Sequence, residues 1–153
     1  MAVKSKAYIN TFWVNLGQAL SQFNALEATL GIYINELIDA KDLKVKVGYK
    51  VTEKLGFAEK VSLFCSLMLV RYETTLNQHL LKSLKGKLLD CAGDRNDLAH
   101  SLLLPHLGKK INMKRVDPSD SLTIAQATTL RNRSLELIKD IIDLVNTQSK
   151  SSS

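Results

Sequence analysis

Residues 8–40, YINTFWVNLGQALSQFNALEATLGIYINELIDA, decide the fold. Apolar side chains recur there at Ile9, Phe12, Leu16, Leu20, Phe23, Leu26, Leu30, Ile34 and Leu37. Steps of three and four bring those positions onto one side of an α-helix, whereas a strand would need alternation. The stretch predicts one long helix, or two nearly collinear ones that meet at Gly17 or Gly31. Glu27 borders the apolar face, and a carboxylate in that position wants a cation. Arg95 is the candidate partner; the alternative is that Glu27 tilts to the rim and is solvated.

The same period continues downstream. Phe57 to about Val70 reads as a second helix with Val61, Phe64, Cys65 and Met68 inward. A third runs from about Glu73, with Leu76, Leu80, Leu84 and Leu88 as its seam, to a break at Gly93. Thr123 and Gln126 fit a capping box at the head of a last helix carrying Ala127, Leu130, Leu137, Ile138, Ile141, Leu144 and Val145. Between the first two helices, Leu43 to Val51 alternates with a period of two, which predicts a short strand or extended connection. Its Lys44, Lys46 and Lys50 either line a path for a nucleic-acid backbone, with Tyr49 as a stacking platform, or form a solvated edge that lysines protect from pairing. The expected fold is all-α: an up-and-down bundle of about four to five helices with a long first helix and short extended connections. One domain spans 1–148, and 149–153 is a disordered serine-rich tail.

Composition bounds the function. A chain of 153 residues, 45% hydrophobic with two prolines, suits a single helical core. Cys65 and Cys91 have neither metal-ligand spacing nor the density of a disulfide scaffold, so a reducing compartment is expected. There is no uncharged apolar run long enough to span a bilayer, and Met1 to Lys6 does not open a signal peptide, so the protein is read as cytoplasmic. A net charge of +6 favours encounter with polyanions, though a lysine-rich surface can also simply be solvated. No phosphate-cradling glycine loop, HExxH, CxxC or carboxylate cluster is present, which points away from ATP and metal chemistry; no cofactor or metal is expected.

One stretch concentrates reactive groups: Gly93-Asp94-Arg95-Asn96-Asp97-Leu98-Ala99-His100. Gly93 is a poor helix-interior residue, and Asp94 followed three positions on by Asp97 is a variant of the capping box, so a helix is expected to restart here. Arg95 and Asn96 would then lie in a first turn whose free N–H groups attract phosphate. Asn96 and His100 are four apart, so the Asn96 amide can fix the imidazole tautomer. Arg95 and His100 are five apart, about 140° around a helix, and flank a cleft without closing one alone.

The arginine, the asparagine straight after it and the histidine after four intervening residues resemble the Arg-x(4–6)-His motif of the HEPN (higher eukaryotes and prokaryotes nucleotide-binding) superfamily. The resemblance implies an all-α bundle, usually a homodimer, that in active members is a metal-independent endoribonuclease and in toxin–antitoxin members is the toxin, with an antitoxin protein as partner. It covers a short piece of the chain, together with the order of helices. Metal-free RNA cleavage needs a base for the 2′-hydroxyl proton, an acid for the leaving 5′-oxygen and a cation for the phosphoryl charge. In this reading Arg95 binds the scissile phosphate, His100 moves the proton and Asn96 orients it. Glu27 and Asp97 are supporting carboxylates, either of which could instead hold Arg95 in an ion pair. The basic segment with Lys109, Lys110, Lys114 and Arg115 is the candidate path for RNA. A single histidine does not easily serve as acid and base together, and a twofold dimer would supply the second. The alternative is an inactive HEPN-like module that binds RNA or protein.

Overall fold

In the computed structural model the chain is described over 2–39, 47–103 and 121–151, with side chains over 11–39, 47–99 and 124–150. Five helices form: α1 (Ala2–Ile38), α2 (Val47–Thr52), α3 (Phe57–Arg71), α4 (Gln78–Leu103) and α5 (Ser121–Ser151). No strand occurs among the described residues.

The first helix is one piece. Its stripe of Phe12, Leu16, Phe23, Leu26, Leu30 and Ile34 is buried, as the three-and-four spacing requires. This stripe packs against α5 and α3, and α2 rests near its end; α4 in turn packs against α3 and α5. The four long helices therefore make a ring in the order α1, α3, α4, α5. Into its centre project Val61, Phe64 and Met68 from α3, Leu84, Leu88 and Cys91 from α4, and Leu130, Leu137 and Ile141 from α5. Each fully buried large side chain contributes about 1.5–3 kcal/mol.

Cross-helix pairs fix the directions. Lys87 reaches Asp140 at 3.4 Å and Cys91 Sγ lies 3.6 Å from Ser134 Oγ, so α4 and α5 are antiparallel. Phe23 stacks near Phe57 with centroids 4.8 Å apart, Lys60 bonds Glu27, and Arg71 Nη1 donates to the Leu37 carbonyl at 3.4 Å. Both numbers rise together, so α1 and α3 run the same way, and the segment between them returns along the bundle.

Four element boundaries differ from the pattern-based expectation. Residues 47–51, expected to be extended, form most of α2. The Asp39 carboxylate accepts the N–H groups of Val47 and Gly48 at 3.0 and 3.1 Å, and the Thr52 hydroxyl donates to the Asn35 side chain at 3.0 Å. Alternation misled because the buried pair is Gly48 and Thr52, one helical turn apart, while Val47, Tyr49 and Val51 face outward. Lys44 and Lys46 lie outside the described residues. The fourth helix starts at Gln78 and not near Glu73, because Asn77 Oδ1 caps it by accepting from His79 and Leu80 N–H at 3.0 and 3.2 Å. His79 thus lies exposed in the first turn of α4.

The expected break at Gly93 is also absent: α4 runs through it. Gly93 costs about 1 kcal/mol relative to alanine there, and burial of Leu88, Cys91 and Leu98 on either side outweighs that. Finally, α5 remains helical through Ser151, beyond the point where a disordered tail was expected. Gln148 is buried near its end and accepts a hydrogen bond from the Thr75 hydroxyl at 2.8 Å.

At Gly48 a Cβ would stand 2.8 Å from Asn35 Cα, which is backbone and cannot swing away. Gly48→Ala should lower the unfolding free energy by about 1–3 kcal/mol in urea titration. Gly86→Ala, where a Cβ meets open space within a helix, should raise it by about 0.5–1 kcal/mol.

Candidate functional site

Arg95 lies in the last third of α4, on the side turned toward α1 and the start of α3. A cleft of about 440 Å³ opens there, lined by Phe23 and Glu27 of α1, Gly56 to Glu59 at the head of α3, and Ala92, Arg95 and Asn96 of α4. Its floor is aromatic. Phe23 and Phe57 contact each other at a 39° tilt, and the Arg95 guanidinium carbon stands 5.7 Å from the Phe23 centroid. A cation over a ring at that distance gains about 0.5–2 kcal/mol.

The polar contacts of Arg95 are few. Its Nη1 donates to Asn96 Oδ1 at 3.0 Å, and its Nε is buried without a hydrogen-bond partner. An orphaned buried donor costs about 1–3 kcal/mol. Among the described residues Arg95 forms no ion pair, so its charge is offered to the cleft.

Neither carboxylate proposed as its partner takes it. Glu27 lines the cleft but accepts from Lys60 Nζ at 2.6 Å, and that pair is only partly exposed. The reason is register: with α1 and α3 parallel, Lys60 stands beside Glu27 as Phe57 stands beside Phe23. Asp97 is exposed and does not line the cleft. Asp94, expected as an N-cap, instead pairs with Arg133 of α5.

Because α4 is uninterrupted, the N–H groups around Asp94 to Asn96 belong to a helix interior, and the phosphate-attracting turn expected there does not form. A different helix start does face the cleft. The α3 N-terminus begins at Phe57, and Glu59 Oε2 accepts the Gly56 N–H at 2.8 Å, the one half of a capping box open to a glycine. The positive end of α3 and the free charge of Arg95 therefore converge on the same space.

The structure brings Arg95, Asn96 and Glu27 together, with Asp97 outside. Asn96 uses its carbonyl oxygen on Arg95, so its proposed role toward an imidazole falls to the amide nitrogen. Position 100 follows five residues later in the same helix; the His100 side chain lies outside the described residues, as do Lys109, Lys110, Lys114 and Arg115. Sequence reasoning missed Phe23 as a support for Arg95, since its place in the α1 stripe marked it only as core. Lys60 carried no signal, because nothing local ties it to a residue 33 positions earlier.

Two thiols, Cys65 and Cys91, are buried in the core and line no part of the cleft. Cys91 is one turn before Arg95, and burial raises its pKa, with the Ser134 hydrogen bond opposing. Burial likewise raises Cys65, with the charge of Lys85 opposing. Among the described residues no group of His, Cys, Asp and Glu side chains could hold a metal ion, and no helix is long and apolar enough to cross a membrane. Compared with protein-family models, curated proteins and solved structures, the chain matches none.

A thiol whose folded pKa lies above its unfolded value of about 8.5 adds stability below that pH and loses it as pH rises toward the folded value. The urea midpoint should therefore fall above about pH 8.5, and the double variant Cys65→Ala, Cys91→Ala should lose that slope. Iodoacetamide at pH 8 should label the native protein at least about 100-fold more slowly than the unfolded chain.

Proposed function

We propose that the chain is a metal-independent endoribonuclease of HEPN type, acting as a homodimer on RNA through Arg95 and His100. The observation that carries this is the state of Arg95: a guanidinium laid on an aromatic floor, free of any described carboxylate, with its charge open to a cleft. Phosphodiester cleavage needs such a cation beside the phosphorus oxygens. Arg95 binds the scissile phosphate, and His100, with a reference pKa near 6.5, transfers protons between the 2′-hydroxyl and the leaving 5′-oxygen. The products are a 2′,3′-cyclic phosphate and a 5′-hydroxyl. On an uninterrupted α4, positions 95 and 100 lie about 140° apart, so a second copy supplies the group that one chain does not bring to the phosphate. The basic residues Lys109, Lys110, Lys114 and Arg115 follow the RNA backbone. A role as the toxin of a toxin–antitoxin or phage-defence pair, with a neutralising protein partner, is the biological setting this activity suits.

A second reading rests on the same angular separation. If no dimer closes the site, the chain is an inactive HEPN-like module whose cleft and basic surface bind RNA or a partner without cutting.

Wild-type protein should cleave single-stranded RNA in EDTA, leaving cyclic phosphate ends. Arg95→Ala and His100→Ala should each lower the rate by about 10²–10⁴-fold while keeping the circular-dichroism spectrum. Equal cleavage by all three removes the assignment, and binding without cleavage by the wild type favours the inactive module.

A further inference from the structure

A quarter of the residues in this chain are charged, yet from Ala7 to Leu26 there is none. The buried stripe of α1 explains the apolar members of that run. It does not explain the outer face, where Thr11, Trp13, Val14, Gly17, Gln18, Ser21, Asn24 and Ala25 are all exposed and all uncharged. Exposed helix faces in a soluble domain carry charge, as α4 does at Lys82, Asp90 and Asp97. Loss of charge around exposed aromatic and aliphatic residues is the compositional mark of the centre of a protein interface.

The shape agrees. Trp13 is 52% exposed and Val14 58%, and Leu135 of α5 is exposed beside them. Together they border a groove of about 580 Å³ over Gly17 and Ser21, with room for an indole. Trp13 is not a loose side chain: its ring meets the buried Phe12 ring edge-on at 5.2 Å. Arg131, the cation at the groove, is tied to Gln18 at 3.0 Å.

We infer that this α1–α5 face is where two copies of the chain meet, each setting Trp13 into the groove over Gly17 and Ser21 of the other. Charge selects the occupant. Copies with a net charge of +6 repel wherever basic surfaces face, and this face lets them approach with little charge of their own between them. A ridge and a groove side by side on one surface are what a twofold, self-complementary contact requires. A nucleic acid would want several cations along the face, and among the described lining of the groove there is only Arg131, already tied to Gln18. Phe23, which supports Arg95, is ten residues further along α1, about 15 Å, and turned away from the Trp13 groove, so the contact leaves the Arg95 cleft uncovered. The inference stands on surface chemistry and does not depend on the nuclease reading.

The test is the mass of the full chain in solution by light scattering and sedimentation equilibrium at micromolar concentration. Wild type should be a dimer. Trp13→Glu and Val14→Lys, both at exposed positions, should each raise the dissociation constant by about 30-fold or more with unchanged circular dichroism. Val70→Glu, at a position 81% exposed on α3, should leave the dimer intact. A monomeric wild type overturns the inference, as does a dimer indifferent to both charge insertions. If Trp13→Glu disturbs the fold, Leu135→Lys on the facing helix takes its place with the same criterion. A wild-type dimer broken by these variants but silent on RNA would leave this interface standing and remove the nuclease proposal.

Discussion

Every other element takes its position from the buried stripe of α1. Helices α2, α3 and α5 all lean on that one helix, and α4 is held by α3 and α5. Near-continuous burial from Phe12 to Ile34 leaves little freedom in how they approach, because close-packed side chains must interdigitate without voids. The parallel course of α1 and α3 follows from the residues between them: Asp39 caps α2, Gly48 lies against Asn35, and the chain is handed back toward Phe23 before α3 begins.

That return sets up the cleft. Since α3 begins only at the level of Phe23, its first turn, the side of α1 and the last third of α4 meet around an open space. Arg95 enters it with an aromatic ring beneath, an amide beside it and a buried Nε left unpaired. Such an arrangement costs stability, and departures of this kind are expected at functional sites. Glu27 is drawn away by Lys60, and Asp94 by Arg133, so two nearby carboxylates are neutralised without quenching the guanidinium.

Much of the fold could be read from the sequence, because the period of α1 and the seams of α3, α4 and α5 are long and regular. What escaped was decided by contacts between distant residues. Val45, Val47, Tyr49 and Val51 alternate convincingly, but the Asp39 carboxylate and the close approach at Gly48 override that pattern over 47–52. Gly93 looked like a break, and tertiary burial on both sides carried the helix across it. At the site, Arg95 and Asn96 were legible from their types and spacing. The support of Arg95 by Phe23 and the loss of Glu27 to Lys60 depend on helix register, which local pattern does not reveal.

The directions of the helices leave the bundle electrically lopsided. Three of its long helices, α1, α3 and α5, point the same way and only α4 opposes them. With about half an elementary charge at each terminus, these poles are staggered along the axis, because α3 starts at the level of Phe23, about 30 Å past the start of α1. The positive pole that borders the Arg95 cleft is the start of α3. An incoming anion would thus feel an axial pull from the peptide backbone itself, a contribution that no substitution of a side chain removes.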